Sequence, residues 1–362
     1  MNRPAIPTID IGTLFGDDQS ARARVDQEIQ QAACGAGMML INGLPEWAEL
    51  NPERRRLLLQ LFSLPEREIR KLWRWNFDPS RPNVYRGWFP LQNGLATYKQ
   101  GIDMGPDLAH GAAVVDNTDP LREATPLPAE AVLPGWRAAA SDYYRAMSRL
   151  SFALMRSIAR GLGLAEATFD NAFEGGVSTL RLLHYPLRPA ASFEGAEWSE
   201  VWTTHAGEQR YLLARAHADT GFMTLLAQDG VGGLQAQHLD GRWIDVPPEE
   251  GTLAVNFGQV LERWTAGRIR ATQHRVLGSG AERCSIPFFH EARVDAVIAP
   301  LPLPGAKPFE PFYFGDHLWQ ATTQFAEQRG IAHLRVPRGK PPLDSCVPGT
   351  AHGGAVVTPN LP

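Results

Sequence analysis

Beyond residue 177 the chain breaks into short β-like runs, each closed by glycine, proline or a polar cluster. They are Ser178–His184, Tyr211–His217, Phe222–Gln228, Arg242–Val246, Thr252–Phe257, Ala271–Val276 and Ser285–His290. Short strands at this spacing favour a barrel or a double-sheet jelly roll. The first half reads differently. Val25, Ile29, Ala32 and Ala36 recur at helical spacing and predict a helix over Ala21–Ala36. Asn51-Pro52 supplies a cap and first position for a second helix carrying Leu57, Leu58 and Leu61. The longest helix is expected over Trp136–Gly163, with Trp136, Ala140, Tyr143, Met147, Leu150, Leu154 and Ile158 on one stripe that packs against the barrel. A last helix, Gly315–Arg329, closes over it. Residues 76–135 are rich in Pro, Gly and polar side chains and show little periodicity, the mark of a functional or irregular segment.

Two histidines and an aspartate fall at telling places in this pattern. His217 ends one run, Asp219 follows two residues on, and His274 lies within a later run. Residues i and i+2 of a strand share a face, so an imidazole and a carboxylate can meet at one point, and a second strand can deliver the other imidazole. Two His and one carboxylate on one face of a metal leave coordination positions open, the ligand set of non-haem Fe(II) oxygenases. A His-x-Asp pair alone is a weak signal, since most such pairs are surface polar residues. The run after His274 strengthens it. Arg283 and Ser285 share a face of an otherwise apolar strand, Cys284-Ser285-Ile286-Pro287-Phe288-Phe289. An arginine facing a barrel interior is costly unless paired, and its fork suits a carboxylate. An internal salt bridge is the competing use, and the upstream set tips the balance toward a ligand.

With these residues in place the chain resembles the 2-oxoglutarate- and Fe(II)-dependent oxygenases of the isopenicillin N synthase-like group. The family's His-x-Asp, distal His and Arg-x-Ser fall on His217/Asp219, His274 and Arg283/Ser285. Ile6-Pro7-Thr8-Ile9-Asp10-Ile11, Gly37-Met38-Met39-Leu40-Ile41-Asn42-Gly43 and Phe62-Ser63-Leu64-Pro65 are similar to its N-terminal region. Asp229-Gly230-Val231-Gly232-Gly233-Leu234 and Phe289-His290-Glu291 are similar to the bacterial branch that includes the ethylene-forming enzyme. The resemblance implies a mainly β fold with flanking helices and a double-stranded β-helix (jelly-roll, cupin-like) core. It divides the chain into an N-terminal region over 1–135 with a substrate lid at 76–105, a catalytic core over 136–335, and a flexible tail over 336–362.

The resemblance also implies Fe(II) on His217, Asp219 and His274, with 2-oxoglutarate and O2 as co-substrates. The distal carboxylate of 2-oxoglutarate would rest on Arg283 and Ser285, and Tyr185 would hydrogen-bond the same molecule, unless Tyr185 is a core aromatic. The expected chemistry converts 2-oxoglutarate to succinate and CO2 and oxidises a C–H bond by hydroxylation, desaturation or cyclisation. Two departures touch co-substrate contacts. Leu183-His184-Tyr185-Pro186 keeps the family's Tyr and lacks its Asn, and Gly258-Gln259 stands where Gly-Asp is usual. The segment Asn83–Gly105 corresponds to the part of relatives over the barrel mouth. Tyr85, Arg86, Tyr98 and Lys99, beside Trp88 and Phe89, are therefore substrate candidates, as are Arg181 and Phe222. Arg86 and Lys99 suggest a small substrate with an acidic group. These aromatics could equally pin a long loop.

Composition agrees with a soluble enzyme. The 362 residues are 44% hydrophobic, enough for a sizeable core, and the net charge of −4 leaves no nucleic-acid footprint and no polybasic membrane patch. Cys34, Cys284 and Cys346 match neither a disulfide framework nor a zinc spacing. No apolar leader or membrane-length run is visible, so a reducing cytoplasm is the expected setting. The remaining histidines lack a partner at useful spacing and read as structural or surface groups. Two rival functions stay open: an Fe(II) oxidase that works without 2-oxoglutarate, and a non-catalytic jelly-roll binding protein or closed zinc site. A structural zinc site normally fills all four positions, which speaks against the last.

Overall fold

The computed structural model describes residues 5–92, 97–194 and 196–342. Part of the expected lid (93–96) and most of the expected tail (343–362, with Cys346) lie outside the described residues. Thirteen strands form two facing sheets. In chain order they are β1 (Thr8–Asp10), β2 (Met38–Asn42), β3 (Gly87–Phe89), β4 (Gln100–Met104), β5 (Thr179–Tyr185), β6 (Trp202–His205), β7 (Glu208–His217), β8 (Met223–Gln228), β9 (Leu234–Gln237), β10 (Trp243–Asp245), β11 (Leu253–Phe257), β12 (His274–Leu277) and β13 (Arg283–His290). The larger sheet runs β1-β2-β11-β8-β13-β5-β4-β3 and the smaller β10-β9-β12-β7-β6. Sequential strands β7 and β8, and again β12 and β13, lie in opposite sheets, so the chain winds between them as a double-stranded β-helix.

Residues 76–135 hold more order than their composition suggests. β4 pairs antiparallel with β5, and β3 pairs with β4, so this stretch extends the larger sheet. Its glycines mislead because they are forced by contact. A Cβ on Gly101 would sit 2.3 Å from the Leu182 carbonyl oxygen. Other expected strands are kept with shifted ends. β12 starts only at His274; before it Ala271 makes an isolated bridge to Phe257 and the Thr272 hydroxyl bonds the Ala36 carbonyl (2.8 Å). The last helix is shorter than its spacing predicts. It spans Phe314–Thr322, and the hydroxyls of Thr322 and Thr323 bond back to the carbonyls of Leu318 and Trp319.

The long helix Trp136–Gly161 lies across the outer face of the larger sheet. Met147, Leu150, Leu154 and Ile158 on its apolar stripe are fully buried. Each such side chain contributes about 1.5–3 kcal/mol of burial free energy. Trp136 Nε1 donates to the Leu58 carbonyl (2.9 Å), and the Tyr144 hydroxyl to that of Ser178 (3.0 Å), so both aromatic polar tips are satisfied. Along β13 the faces alternate: Phe288 and His290 turn toward this helix, Ser285 and Phe289 toward the other sheet. A second, smaller core between the sheets includes Leu183, Tyr185, Leu213, Leu234, Ala254 and Val276. Among the described residues no helix is long and apolar enough to cross a membrane.

Candidate metal centre and substrate cleft

His217 and His274 are cross-strand partners at the rim of the smaller sheet, with ring centroids 4.4 Å apart. Asp219 lies past the end of β7, in the crossover to β8. The strand periodicity that pointed to it therefore does not operate there; the turn delivers its carboxylate instead. Asp219 Oδ1 stands 3.8 Å from His217 Nε2 and 3.7 Å from His274 Nε2. One ligand atom from each of the three residues lies within 4.8 Å of the others.

The unused atoms of these groups are held by neighbours. His217 Nδ1 is 2.8 Å from the Arg215 carbonyl and His274 Nδ1 is 3.2 Å from that of Thr272. A carbonyl accepts only, so each Nδ1 carries the proton and each Nε2 turns a lone pair toward Asp219. Asp219 Oδ2 accepts from the Thr224 hydroxyl and from Asn256 Nδ2 (2.7 Å), leaving Oδ1 for the centre. Burial, then the neighbouring His274, pushes the His217 imidazole down to about 4. Burial alone would raise Asp219, but the two imidazoles and the Thr224 and Asn256 bonds outweigh it and hold the carboxyl below its usual range. The His217 imidazole and the Asp219 carboxylate thus stand in the protonation states a metal ion requires. The turn itself is tied by backbone: Gln259 N donates to the Asp219 carbonyl (2.9 Å) and Gly258 N to that of Phe222 (2.8 Å). The departure at Gln259 leaves this support intact because only its main chain is used.

Arg283 and Ser285 lie farther along the same interior, on β13 of the larger sheet, at 1% and 2% exposure. Arg283 pairs in register with Tyr185, and its guanidinium sits 5.3 Å over that ring. Its Nη2 donates to Gln228 Oε1 (3.3 Å), while Nε is buried without a partner. It forms no ion pair among the described residues, which removes the internal salt bridge as its use. A buried guanidinium so incompletely matched fits a carboxylate ligand.

A cavity of about 580 Å³ opens over the His–Asp–His rim. Tyr85, Lys99, Arg181 and Phe222 line it, together with residues 324–329 after the last helix. Arg86 and Tyr98 do not. Arg86 is fully buried and donates to the Thr179 hydroxyl (2.5 Å) and the carbonyls of Val177 (2.9 Å) and Leu121 (3.3 Å), so it ties strands together. Tyr98 is buried beneath the Arg188 guanidinium (4.9 Å). Lys99 reaches the cleft but is paired with Glu327 at 2.7 Å. Of the two cations that suggested an acidic substrate, Lys99 is thus committed to Glu327, and Arg86, though its Nε has no partner, lies outside the cleft lining.

Sequence reasoning passed over three further groups. Thr224 and Asn256 support Asp219; a polar residue placed inside an apolar strand run was their signal. Glu291 borders the cleft, and a Cβ on Gly221 would lie 2.3 Å from both of its carboxyl oxygens. Burial, with Asp219 nearby, raises its carboxyl well above the usual range. The adjacent His290 faces the other way, stacked on Phe173 at 4.2 Å with neither ring nitrogen partnered, and burial pushes it down to about 3.

Comparison with known proteins agrees with this geometry. Residues 200–292 match the 2OG-Fe(II) oxygenase superfamily. Isopenicillin N synthase of Streptomyces clavuligerus is 30% identical over 92% of this chain and 97% of its own length. A 2-oxoglutarate-Fe(II) type oxidoreductase of Aspergillus fumigatus is 32% identical over 82% of this chain and 85% of its own. Among solved structures, a full-length Neurospora crassa protein in complex with alpha-KG and 5-formyluracil superposes with a TM-score of 0.71 at 25% identity, covering 90% of this chain and 98% of that one. These relatives do not single out the branch of the ethylene-forming enzyme.

Proposed function

The chain belongs to the 2OG-Fe(II) oxygenase superfamily and is a non-haem Fe(II)- and 2-oxoglutarate-dependent dioxygenase; from that premise we propose that His217, Asp219 and His274 hold the iron and that Arg283, Ser285 and Tyr185 seat 2-oxoglutarate. The primary substrate is a small molecule, oxidised at a C–H bond in the cleft over residues 324–329. One observation carries the reading: two Nε2 lone pairs and one carboxylate oxygen converge while every other polar atom of those three groups is taken. When bound, iron and 2-oxoglutarate supply the O2-derived oxidant and release succinate and CO2.

The chain's own residues do the rest. Arg215 and Thr272 fix the imidazole tautomers through their carbonyls, and Thr224 and Asn256 hold Asp219 with Oδ1 forward. Arg283, buried with Nε unpartnered, offers an N–H to a carboxylate, and a charge-assisted bond away from water is strong. Tyr85 and Phe222 give the cleft apolar wall that limits water near the reacting carbon. The proposed division of the chain follows: residues 136–335 carry the centre, and the 76–105 segment borders the mouth. The test is anaerobic addition of Fe(II) and then 2-oxoglutarate, followed by a visible charge-transfer band, with succinate measured after O2 is admitted. A protein that shows neither band nor succinate is not using this site as described.

A further inference from the structure

Apart from the exposed Arg329 at its edge, the charges along the cleft beyond the His–Asp–His centre are matched within the chain, with one exception at depth. Lys99 pairs with Glu327 at 2.7 Å, Arg181 with Asp103 at 2.8 Å, and Arg215 with Glu200 at 2.7 Å. Glu291 is only 6% exposed, lines the cleft, and forms no ion pair among the described residues; its Oε2 is buried with no hydrogen-bond partner. It is not a fourth member of the His217–Asp219–His274 cluster. Its carboxyl packs against Gly221, two residues past Asp219, so whatever it holds lies beside the converging donors. A buried carboxyl without a complement is costly to keep, and a ligand cation is what would complete it.

Resting on the oxygenase reading of this cleft, we propose that Glu291 anchors the primary substrate and that this substrate carries a basic nitrogen, a protonated amine, which pairs with it. A cation is favoured over a neutral donor because Arg86, the protein cation nearest in effect, donates to Thr179, Val177 and Leu121 and not to this carboxyl, while Lys99 and Arg181 are paired elsewhere. The geometry also gives direction: the amine end is held at the metal side of the cleft, and oxidation falls on a carbon near that nitrogen.

The experiment uses the full chain loaded anaerobically with Fe(II) and 2-oxoglutarate. Benzylamine, phenethylamine and tryptamine are titrated by calorimetry against benzyl alcohol, phenethyl alcohol and tryptophol. At least one amine should bind about ten- to a hundredfold more tightly than its alcohol, the range of a charge-assisted contact. Glu291→Gln keeps the shape and a hydrogen-bond acceptor but no charge, and should erase that preference. Gly221→Ala, whose methyl would take the carboxyl's place, should weaken it as well. The proposal is overturned if no pair shows an amine preference, or if Glu291→Gln retains one. Absence of the 2-oxoglutarate band in the parent protein would instead sink the oxygenase reading, while the calorimetry still decides the role of Glu291.

Discussion

On the smaller sheet, His217 lines an open cleft with His274 buried beside it, and each spends a ring nitrogen on a carbonyl two residues back. On the larger sheet, Arg283 is sealed in the interior with Nε unmatched. The rim groups are finished locally and lack only what they converge on. The interior group is unfinished and takes its complement from outside the chain. The contrast teaches that the two halves of the site should fail differently. Losing a rim donor removes one of three convergent atoms and leaves no substitute. Losing the interior cation removes a strong contact from a ligand that keeps its others.

The largest effect expected is therefore at the rim. His217→Ala or His274→Ala should abolish iron binding and O2 consumption with the fold kept; normal iron stoichiometry in both variants would contradict the assigned ligands. Next comes the interior. Arg283→Ala should weaken 2-oxoglutarate binding about ten- to a hundredfold, and Arg283→Lys should recover only part because the planar fork is lost. Unchanged affinity, read from the charge-transfer titration, would collapse the contrast between the halves. A smaller loss is expected one contact out from the rim. Asn256→Ala leaves Asp219 Oδ2 with the Thr224 hydroxyl as its one remaining side-chain donor among the described residues, and iron affinity should drop about tenfold, measured by competition with a chelator.

The smallest effect sharpens the comparison from the outer face of the larger sheet. His290 folds with its imidazole at about 3, below the ordinary histidine value. The unfolded chain therefore binds a proton that the folded one refuses. Stability is unaffected above the ordinary value and is lost as pH falls from about 6.5 toward 3. His290→Phe should remove about 1 kcal/mol of the loss between pH 7 and pH 5.5, read from urea melts, with iron and 2-oxoglutarate binding unchanged. A variant whose melts fall as steeply as the parent's would show that His290 does not set this slope.

The sequence carried the barrel and the three converging side chains well, for a physical reason. Strand periodicity is local and marks the barrel, and His-x-Asp spacing marks a pair, although a turn and not a strand brings Asp219 round and strand pairing supplies His274. What it hid was partnership. Arg86 and Tyr98 have the composition of pocket residues, yet Arg86 turns to Thr179, Val177 and Leu121, and Tyr98 lies under Arg188. β3 and β4 were hidden because Gly87 and Gly101 look like breakers until the backbones packed against them are seen. Glu291 drew no attention because an acid next to a strand end is ordinary; only its missing partner marks it.

The packing of Glu291 on Gly221 has a consequence for how such a chain can drift. While the carboxyl occupies the space beside residue 221, any side chain there must displace it, so a change at 221 is felt first at position 291. The two sites, seventy residues apart in the sequence, are therefore coupled: what one holds limits what the other can place. A small residue at 291 would relieve that coupling, and a new side chain at 221 would then reshape the mouth beside Asp219.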